Sequence, residues 1–245
     1  MMNAAFAELG IDWRYLALPV PPERFAETVR ALPGSGYRAA NVTIPHKLAA
    51  YDLADELSDA ARAIGAVNTL TLHEDGRIAG DNTDAAGLLD ALGEPVPATA
   101  LVLGAGGAAR AAAWALAHAG ARVTIWNRTP SRAEALAREL GVEAVARPGS
   151  AELLVNATSV GLRADDSLEG IPLVDASVVV ELVYGDAPTP LARWAAERGA
   201  RLVDGLEVLV RQGARSLALW TGREPPVEAM RRALVQGASS TSAQP

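Results

Sequence analysis

The stretch that decides the fold is TALVLGAGGAARAAAWALAHAGARVTIWN, residues 99–127. It opens with a short apolar run, turns at a glycine-rich loop, continues as an alanine-dominated segment and ends in a second apolar run. Continuous apolar runs that alternate with a helical segment are typical of strand–helix–strand units in a parallel sheet. The stretch therefore predicts the centre of a parallel sheet.

The same alternation continues towards the C-terminus. Further strands are predicted in AELLVNAT (151–158), SVVVEL (177–182) and RLVDG (201–205), with helices at SRAEALAREL (131–140) and PLARWAAERG (190–199). Buried strands alternating with helices indicate a doubly wound α/β sheet. We assign this sheet to a domain spanning residues 99–204.

The N-terminal part has a different, mixed α/β pattern. It predicts a helix ending at Gly10, a strand over Arg14–Val20, a helix near 23–32, a strand over 38–44, one helical stretch over 47–65 and a hairpin over 66–80. Two prolines and a glycine in LGEPVPAT (92–99) mark a boundary. We assign residues 1–84 to a second domain, completed by helices over 205–236, and residues 237–245 to a disordered tail.

Composition narrows the class of protein. The chain has 245 residues, no cysteine and a formal net charge of −7. A net negative charge disfavours a general nucleic-acid role, and the absence of cysteine excludes disulfides and thiolate catalysis. No apolar run approaches the roughly 20 residues of a membrane span, and the N-terminus lacks the pattern of a secretory signal. We expect a cytoplasmic protein.

The glycine-rich loop carries the first chemical signal. Gly104-x-Gly106-x-x-Ala109 lies between a predicted strand and a predicted helix, which is the context of a dinucleotide fingerprint. Its glycines permit a tight turn and close approach of a pyrophosphate, and the helix N-terminus supplies oriented N–H groups. The alternative is a glycine-rich packing turn without a ligand.

The end of the next strand indicates which dinucleotide is bound. Asn127, Arg128 and Thr129 stand where an NAD site usually carries an acidic residue, and Arg132 follows one helical step later. Two guanidiniums and a hydroxyl favour a 2′-phosphate, which a carboxylate would repel. NADP is therefore predicted; the alternative is a solvated helix start with Thr129 as its N-cap.

Short polar side chains cluster at three strand ends of the first domain: in NVTIPHK (41–47), in Asn68-Thr69 and in Asn82-Thr83-Asp84. Each cluster alone is explained by turn or capping chemistry. Three in one domain also fit carboxamides and hydroxyls that converge on a polyhydroxylated ligand. The sequence leaves both interpretations open.

Taken together, these motifs identify a resemblance. NVTIPHK, GAVNTL, GDNTD, GAGGAARA, NRTPSR, NATSVG and GLEVLVRQGARSLALWTGREPP occur in the order expected of the shikimate 5-dehydrogenase family, over nearly the whole chain. The resemblance implies a substrate domain, a Rossmann-type NADP domain and NADPH-dependent reduction of 3-dehydroshikimate to shikimate, in aromatic amino acid and chorismate biosynthesis. It implies no metal, and either a monomer or a homodimer.

The resemblance also assigns site residues. Lys47 matches the family's catalytic lysine and Asp84 its partner carboxylate, so that Lys47 exchanges a proton with the substrate hydroxyl. His46 beside it is taken as incidental. The positions that match substrate contacts are Thr43, Asn68, Tyr184 and Gln212. The positions that match cofactor contacts are Asp59, Gly104, Ala105, Gly106, Gly107, Ala108, Asn127, Arg128, Thr129, Arg132, Leu182 and Gly205.

The match departs from the family pattern at three points. The family begins with a strand and a Ser-x-Ser-Pro loop that grips the shikimate carboxylate, and this sequence starts after that loop; a start assigned too late, a truncation or a divergent protein would each explain it. Glu181 replaces a usual aspartate, and Val208 a usual methionine. The open alternatives are an NADP-binding relative without dehydrogenase activity, a dehydrogenase for quinate or an aminoshikimate, and a different Rossmann reductase.

Overall fold

The computed structural model describes residues 1–163, 165–185 and 187–241, with only the backbone of 237–241. The helices are α1 Met2–Leu9, α2 Phe25–Ala31, α3 Lys47–Leu53, α4 Asp59–Ile64, α5 Thr83–Leu92, α6 Gly107–His118, α7 Pro130–Leu140, α8 Pro190–Glu197, α9 Gly205–Thr221 and α10 Val227–Thr241. The strands are β1 Ala39–Asn41, β2 Glu56–Leu57, β3 Thr69–Leu72, β4 Ile78–Asp81, β5 Thr99–Leu103, β6 Arg122–Trp126, β7 Glu143–Ala144, β8 Leu153–Asn156, β9 Val178–Glu181 and β10 Arg201–Val203.

The larger sheet confirms the predicted doubly wound fold. Its six strands run in the order β10-β9-β8-β5-β6-β7, and every neighbouring pair is parallel. The chain enters at the central strand β5, moves to one side through β6 and β7, and returns to the other side at β8. The strand order therefore reverses between β5 and β8, where ligands bind in sheets of this kind.

The smaller sheet belongs to the N-terminal part, in the order β1-β3-β4-β2. β3 pairs antiparallel with β1 and β4, and β2 pairs parallel with β4. β3 and β4 form the predicted hairpin, with Gly76 at a φ of 85° in its turn. This sheet packs on its own apolar cluster, in which Leu70, Ile78 and Val67 are fully buried.

Three expectations from the sequence are wrong. The run Arg14–Val20 forms no strand; the backbone of Tyr15 is held by the side chain of Asn3 instead of by a sheet neighbour. The helical stretch over 47–65 is divided into α3 and α4 by the short strand β2, because Glu56 pairs with Ala79 of β4. The tail predicted over 237–245 is wrong for residues 237–241, because α10 continues to Thr241; residues 242–245 lie outside the described part.

The C-terminal helices return to the N-terminal part. α1, α9 and α10 share one apolar cluster that contains Phe6, Val210 and Met230. α9 also packs closely against α5, where a Cβ added to Gly87 would lie 2.6 Å from the backbone nitrogen of Gln212. No helix in the described ranges is long and apolar enough to cross a membrane.

A small apolar cluster connects the two sheets' domains. Ile64 and Ala66 lie at the end of α4 and just after it, Ala85 lies on α5, and Ala111 and Ala115 lie on α6. The alanines of α6 let this helix approach the N-terminal part closely. The N-terminus of α6 also lies beside the start of α3, since a Cβ added to Gly107 would lie 3.0 Å from the Cβ of Lys47.

Candidate active site

Lys47 and Asp84 form an ion pair in a partly enclosed position. Lys47 is the first residue of α3 and Asp84 lies in the first turn of α5. The Lys47 Nζ to Asp84 Oδ2 distance is 2.6 Å, and the two side chains are 12% and 18% exposed. Both groups keep some access to solvent, so a ligand can reach them. Lys47 is also the chain's single lysine.

The local sequence places Asp84. Asn82 is the N-cap of α5, and its Oδ1 accepts the backbone N–H groups of Asp84 and Ala85. The Nδ2 of Asn82 donates to the carbonyl oxygen of Ala66 at 2.9 Å. These bonds fix the first turn of α5, and with it the direction of the Asp84 carboxylate.

Asn68 holds the Asp84 carboxylate of the ion pair in place. The residue is only 2% exposed, and its Nδ2 donates to Asp84 Oδ1 at 2.8 Å. Its Oδ1 accepts from the backbone N–H of Thr83 at 2.8 Å and from Thr69 Oγ1 at 2.9 Å. Since Lys47 takes one oxygen of Asp84 and Asn68 the other, the carboxylate is held in one orientation.

Beneath Asn68 lies a cluster of three hydroxyls. The hydroxyl oxygens of Thr69, Thr83 and Ser216 lie 2.9–3.1 Å from one another. Asn41 Nδ2 donates to Ser216 at 2.9 Å, and Tyr15 Oη donates to Asn41 Oδ1 at 3.0 Å. A continuous chain of hydrogen bonds thus runs from Tyr15 to Asp84.

Tyr15 and Ser216 were not singled out from the sequence. Ser216 follows Gln212 by four residues and so lies on the same face of α9, which is a signal that could have found it. Tyr15 carried no such signal, because it lies in a run predicted as a strand. His46 has a structural role: its ring stacks on Phe25 at 4.6 Å and its Nε2 contacts the carbonyl oxygen of Val20.

The glycine-rich loop lies directly beside Lys47. A Cβ added to Gly107 would lie 3.0 Å from the Cβ of Lys47, and one added to Gly104, at a φ of 116°, would lie 2.7 Å from the carbonyl oxygen of Ala157. At Gly106, the N-cap of α6, an added Cβ would meet no described atom within 4 Å. Ala105 and Ala108 flank this open space and are partly exposed.

The residues predicted to bind the 2′-phosphate are accessible to solvent. Arg128, Thr129 and Arg132 are exposed, and Asn127 donates from Nδ2 to the carbonyl oxygen of Thr129 at 2.9 Å. Thr129 is the N-cap of α7, but its side chain makes no capping hydrogen bond. Among the described residues, neither guanidinium has an ion-pair partner. Both charges are therefore available to an anionic ligand.

Of the remaining predicted residues, Gln212 contacts the group around Lys47 and Asp84, and Leu182 and Gly205 lie against each other. Gln212 accepts from Asn68 at 3.2 Å through Oε1 and is 9% exposed. Thr43 is exposed just after β1, and Leu182 follows β9. A Cβ at Gly205 would lie 3.0 Å from the carbonyl oxygen of Leu182. Asp59, exposed at the start of α4, makes no side-chain hydrogen bond or ion pair with the described residues, so no contact joins it to this group.

Tyr184 faces the N-terminal part of the chain. It is 49% exposed, and its phenol is close enough to Tyr15 to raise the pKa of Tyr15, although burial is the larger cause of that shift. Tyr184 follows β9 of the larger sheet, whereas Tyr15 belongs to the segment after α1. The two phenols therefore come from the two separate parts of the fold.

Fold and site together define a two-domain α/β protein in which a dinucleotide fingerprint lies against a lysine–aspartate pair. The chain matches the family described as "Shikimate dehydrogenase substrate binding domain" over residues 1–70. It matches "Shikimate / quinate 5-dehydrogenase" over residues 90–158 and "Shikimate 5'-dehydrogenase C-terminal domain" over residues 205–235.

Individual proteins agree with this match. "Shikimate dehydrogenase (NADP(+))" of Anaeromyxobacter sp. (strain Fw109-5) is 45% identical over 98% of this chain and 92% of its own length. The protein of the same name from Methanothermobacter thermautotrophicus is 42% identical over 96% of this chain and 89% of its own length. The chain belongs to the shikimate dehydrogenase family.

A solved structure shows the same architecture. Shikimate 5-dehydrogenase from Thermus thermophilus, in complex with NADP(H) and shikimate, superposes with a TM-score of 0.86 at 41% identity. The superposition covers 96% of this chain and 92% of the Thermus chain.

Proposed function

We propose that the chain is an NADP-dependent shikimate dehydrogenase, which interconverts 3-dehydroshikimate and shikimate in aromatic amino acid biosynthesis. One observation supports this most directly: Lys47, paired with Asp84 at 2.6 Å, lies in contact distance of Gly107 in the fingerprint loop. A proton-transfer group and a dinucleotide loop at one point are what an alcohol dehydrogenase needs. We divide the chain into a substrate domain, 1–84 with 205–236, and an NADP domain, 99–204.

The residues present fit NADP. The open space at Gly106, at the N-terminus of a 12-residue helix, suits a pyrophosphate, which Gly104 to Ala108 would hold. The exposed group at Asn127, Arg128, Thr129 and Arg132 would hold the 2′-phosphate. Leu182 and Gly205 would contact the nicotinamide end, and we keep Asp59 as a further cofactor contact. NADP, when bound, supplies or accepts the hydride.

Lys47 moves the proton. In the reducing direction its ammonium donates a proton to the carbonyl oxygen of the substrate, and in the oxidising direction its neutral amine accepts the hydroxyl proton. Asp84 stabilises the charged amine and keeps it in place. Asn68 keeps Asp84 in place through the second carboxylate oxygen.

Four side chains are proposed to hold the substrate ring: Thr43, Asn68, Tyr184 and Gln212. Thr43 and Tyr184 are exposed and free to turn towards a ligand. Asn68 and Gln212 are buried beside Asp84, so they would present their amides only to a hydroxyl that lies against the ion pair. In this proposed arrangement the reacting carbon of a polyhydroxylated ring would lie next to Lys47.

Lys47→Ala tests the proposal, with NADPH formation from shikimate and NADP⁺ as the assay. We expect turnover to fall by about 10²–10⁴-fold, the range for a general acid–base group, while NADPH affinity is kept. Lys47→Arg is the matched control, because it keeps the positive charge beside Asp84 but does not deprotonate near neutral pH. It should be nearly as inactive as Lys47→Ala and as stable as the wild type.

Two results would contradict the proposal. Tight NADPH binding without turnover of the wild type would identify an NADP-binding protein without dehydrogenase activity. Full activity of either Lys47 variant would remove Lys47 from the mechanism. Shikimate, quinate and an aminoshikimate are assayed side by side to choose among substrates. The cytoplasmic location and the monomeric or homodimeric state stay predictions.

A further inference from the structure

Glu181 is a buried carboxylate that the proposed reaction does not use. It is the last residue of β9 and only 2% exposed. Three uncharged groups donate to it: Thr189 Oγ1 to Oε2 at 2.7 Å, Asn156 Nδ2 to Oε1 at 2.8 Å, and the backbone N–H of Val183 to Oε1 at 3.0 Å. Burial raises the pKa of Glu181, although these donors oppose the shift. Burying an ionisable group costs free energy, so a specific role is expected for Glu181.

Its partners belong to three separate segments at the carboxyl end of the sheet. Asn156 ends β8 and also binds the loop that follows: its Nδ2 donates to the carbonyl oxygen of Val160 at 3.1 Å, and its Oδ1 accepts from Thr158 Oγ1 at 2.7 Å. Val183 is the second residue of the loop after β9. Thr189 is the N-cap of α8, where its Oγ1 accepts from the backbone N–H of Ala192. One carboxylate thus connects two loops and a helix start.

These loops pack against the elements that are proposed to bind the cofactor and the substrate. Gly104 of the fingerprint packs against Ala157, since an added Cβ would lie 2.7 Å from the carbonyl oxygen of Ala157. Gly205 at the start of α9 packs against the other loop, since its added Cβ would lie 3.0 Å from the carbonyl oxygens of Glu181, Leu182 and Val183. The loop after β9 also carries Tyr184. A displacement of the first loop would therefore reach the cofactor loop, and a displacement of the second would reach the start of α9 and Tyr184.

We infer that Glu181 is a positioning residue, whose carboxylate fixes loops 157–160 and 182–184 in the geometry that aligns cofactor and substrate. It touches neither ligand and acts through Asn156, Val183 and Thr189. The kinetic part of this inference rests on the proposed dehydrogenase function.

Glu181→Gln is the sharpest variant, because its size is unchanged. The new Oε1 can still accept from Asn156 and Val183, but the new Nε2 faces Thr189 Oγ1, which must then turn from donor to acceptor while it already accepts from Ala192. We expect the turnover number to fall at least fivefold and the KM for NADP⁺ to rise at least threefold. Glu181→Asp, which keeps an acceptor for Thr189, should recover part of the loss.

Val123→Ala is the control for a loss of stability alone. Val123 is 4% exposed and lies in the amino-terminal half of β6, at the opposite end of the sheet. Its kinetic constants should stay within twofold of the wild type at a temperature where all variants are folded. Wild-type constants in Glu181→Gln would overturn the inference. So would equal kinetic changes in Val123→Ala, because they would trace the effect to stability.

A measurement without ligand separates this inference from the proposed function. Hydrogen exchange of the peptides that cover 157–160 and 182–184 should be at least threefold faster in Glu181→Gln than in the wild type, and unchanged in Val123→Ala. If the wild type proves inactive with shikimate, the proposed function fails, and the exchange result still decides the role of Glu181. Equal exchange in Glu181→Gln and the wild type would overturn that role.

Discussion

The contact between α5 and α9 yields a prediction that the structure makes quantitative. A methyl group at Gly87 would lie 2.6 Å from the backbone nitrogen of Gln212 and 2.7 Å from both its Cα and Cβ. Carbon atoms in favourable contact lie about 3.5–4.0 Å apart, so Gly87→Ala requires the helices to separate by about 0.8 Å. The obstructing atoms are backbone atoms and the Cβ fixed to them, which no change of rotamer can move.

The expected cost follows from two opposing effects. Overpacking of this kind costs about 1–3 kcal/mol. Alanine stabilises a helix interior by up to about 1 kcal/mol relative to glycine. Gly87→Ala should therefore lower the free energy of unfolding by up to about 2 kcal/mol. For a chain of this size that corresponds to a fall in Tm of up to about 8 °C. Displacement of Gln212 should also raise the KM for shikimate.

Gly213→Ala is the matched control on the facing helix. Its added Cβ would lie 2.5 Å from the terminal methyl carbon of Met1, the end of a flexible side chain that can turn away. We expect this variant to be as stable as the wild type or more stable, by up to about 1 kcal/mol from helix propensity. Thermal and urea unfolding of both variants measure the difference. If Gly87→Ala melts at or above the wild type, the close approach of α5 and α9 described here is wrong.

Three further predictions concern the cleft. A Cβ added at Gly106 meets no atom of the described residues within 4 Å, and the residue has a φ of −92°, so Gly106→Ala should fold with a stability within about 0.5 kcal/mol of the wild type. It should nevertheless bind NADPH more weakly; unchanged affinity, measured by NADPH fluorescence, would argue against a pyrophosphate at Gly106. Lys47 is the single lysine, so, apart from the N-terminus, an amine reagent modifies only Lys47. NADP⁺ should slow the labelling of Lys47 at least threefold, because Gly107 in the cofactor loop contacts it. Equal labelling rates with and without NADP⁺ would place the cofactor elsewhere. Burial raises the pKa of Glu181 above its ordinary value of 4.5, so the folded state keeps this proton to a higher pH than the unfolded state, and stability is lost as the pH rises above 4.5. The free energy of unfolding of the wild type minus that of Glu181→Gln, from urea unfolding between pH 4 and 8, should therefore fall with rising pH. A difference that rises instead would contradict the raised pKa.

The sequence alone predicted five of the six strands of the larger sheet and missed the two-residue edge strand β7. Its central strand is a continuous apolar run, and its glycine-rich loop lies between that strand and a helix, so the local pattern and the tertiary structure agree. Local pattern failed where pairing decides the outcome. Arg14–Val20 has the composition of a strand but no sheet partner, and a strand needs a neighbour to bond its backbone. Residues 54–58 continue a helical pattern, yet Glu56 and Leu57 form β2 because they pair with Ala79 and Gly80 of β4.

The candidate site divides in the same way. The motifs around Lys47, Asp84 and the fingerprint loop could be recognised in the sequence because each needs particular residue types over a few positions. Their convergence could not be predicted, since it depends on the packing of α4, α5 and α6 in one apolar cluster and on the close approach of Gly107 to Lys47. The bonds of Asn68 and the chain from Tyr15 to Ser216 join residues as much as 175 positions apart. Such contacts depend on which faces pack together, and that choice is made by the fold as a whole.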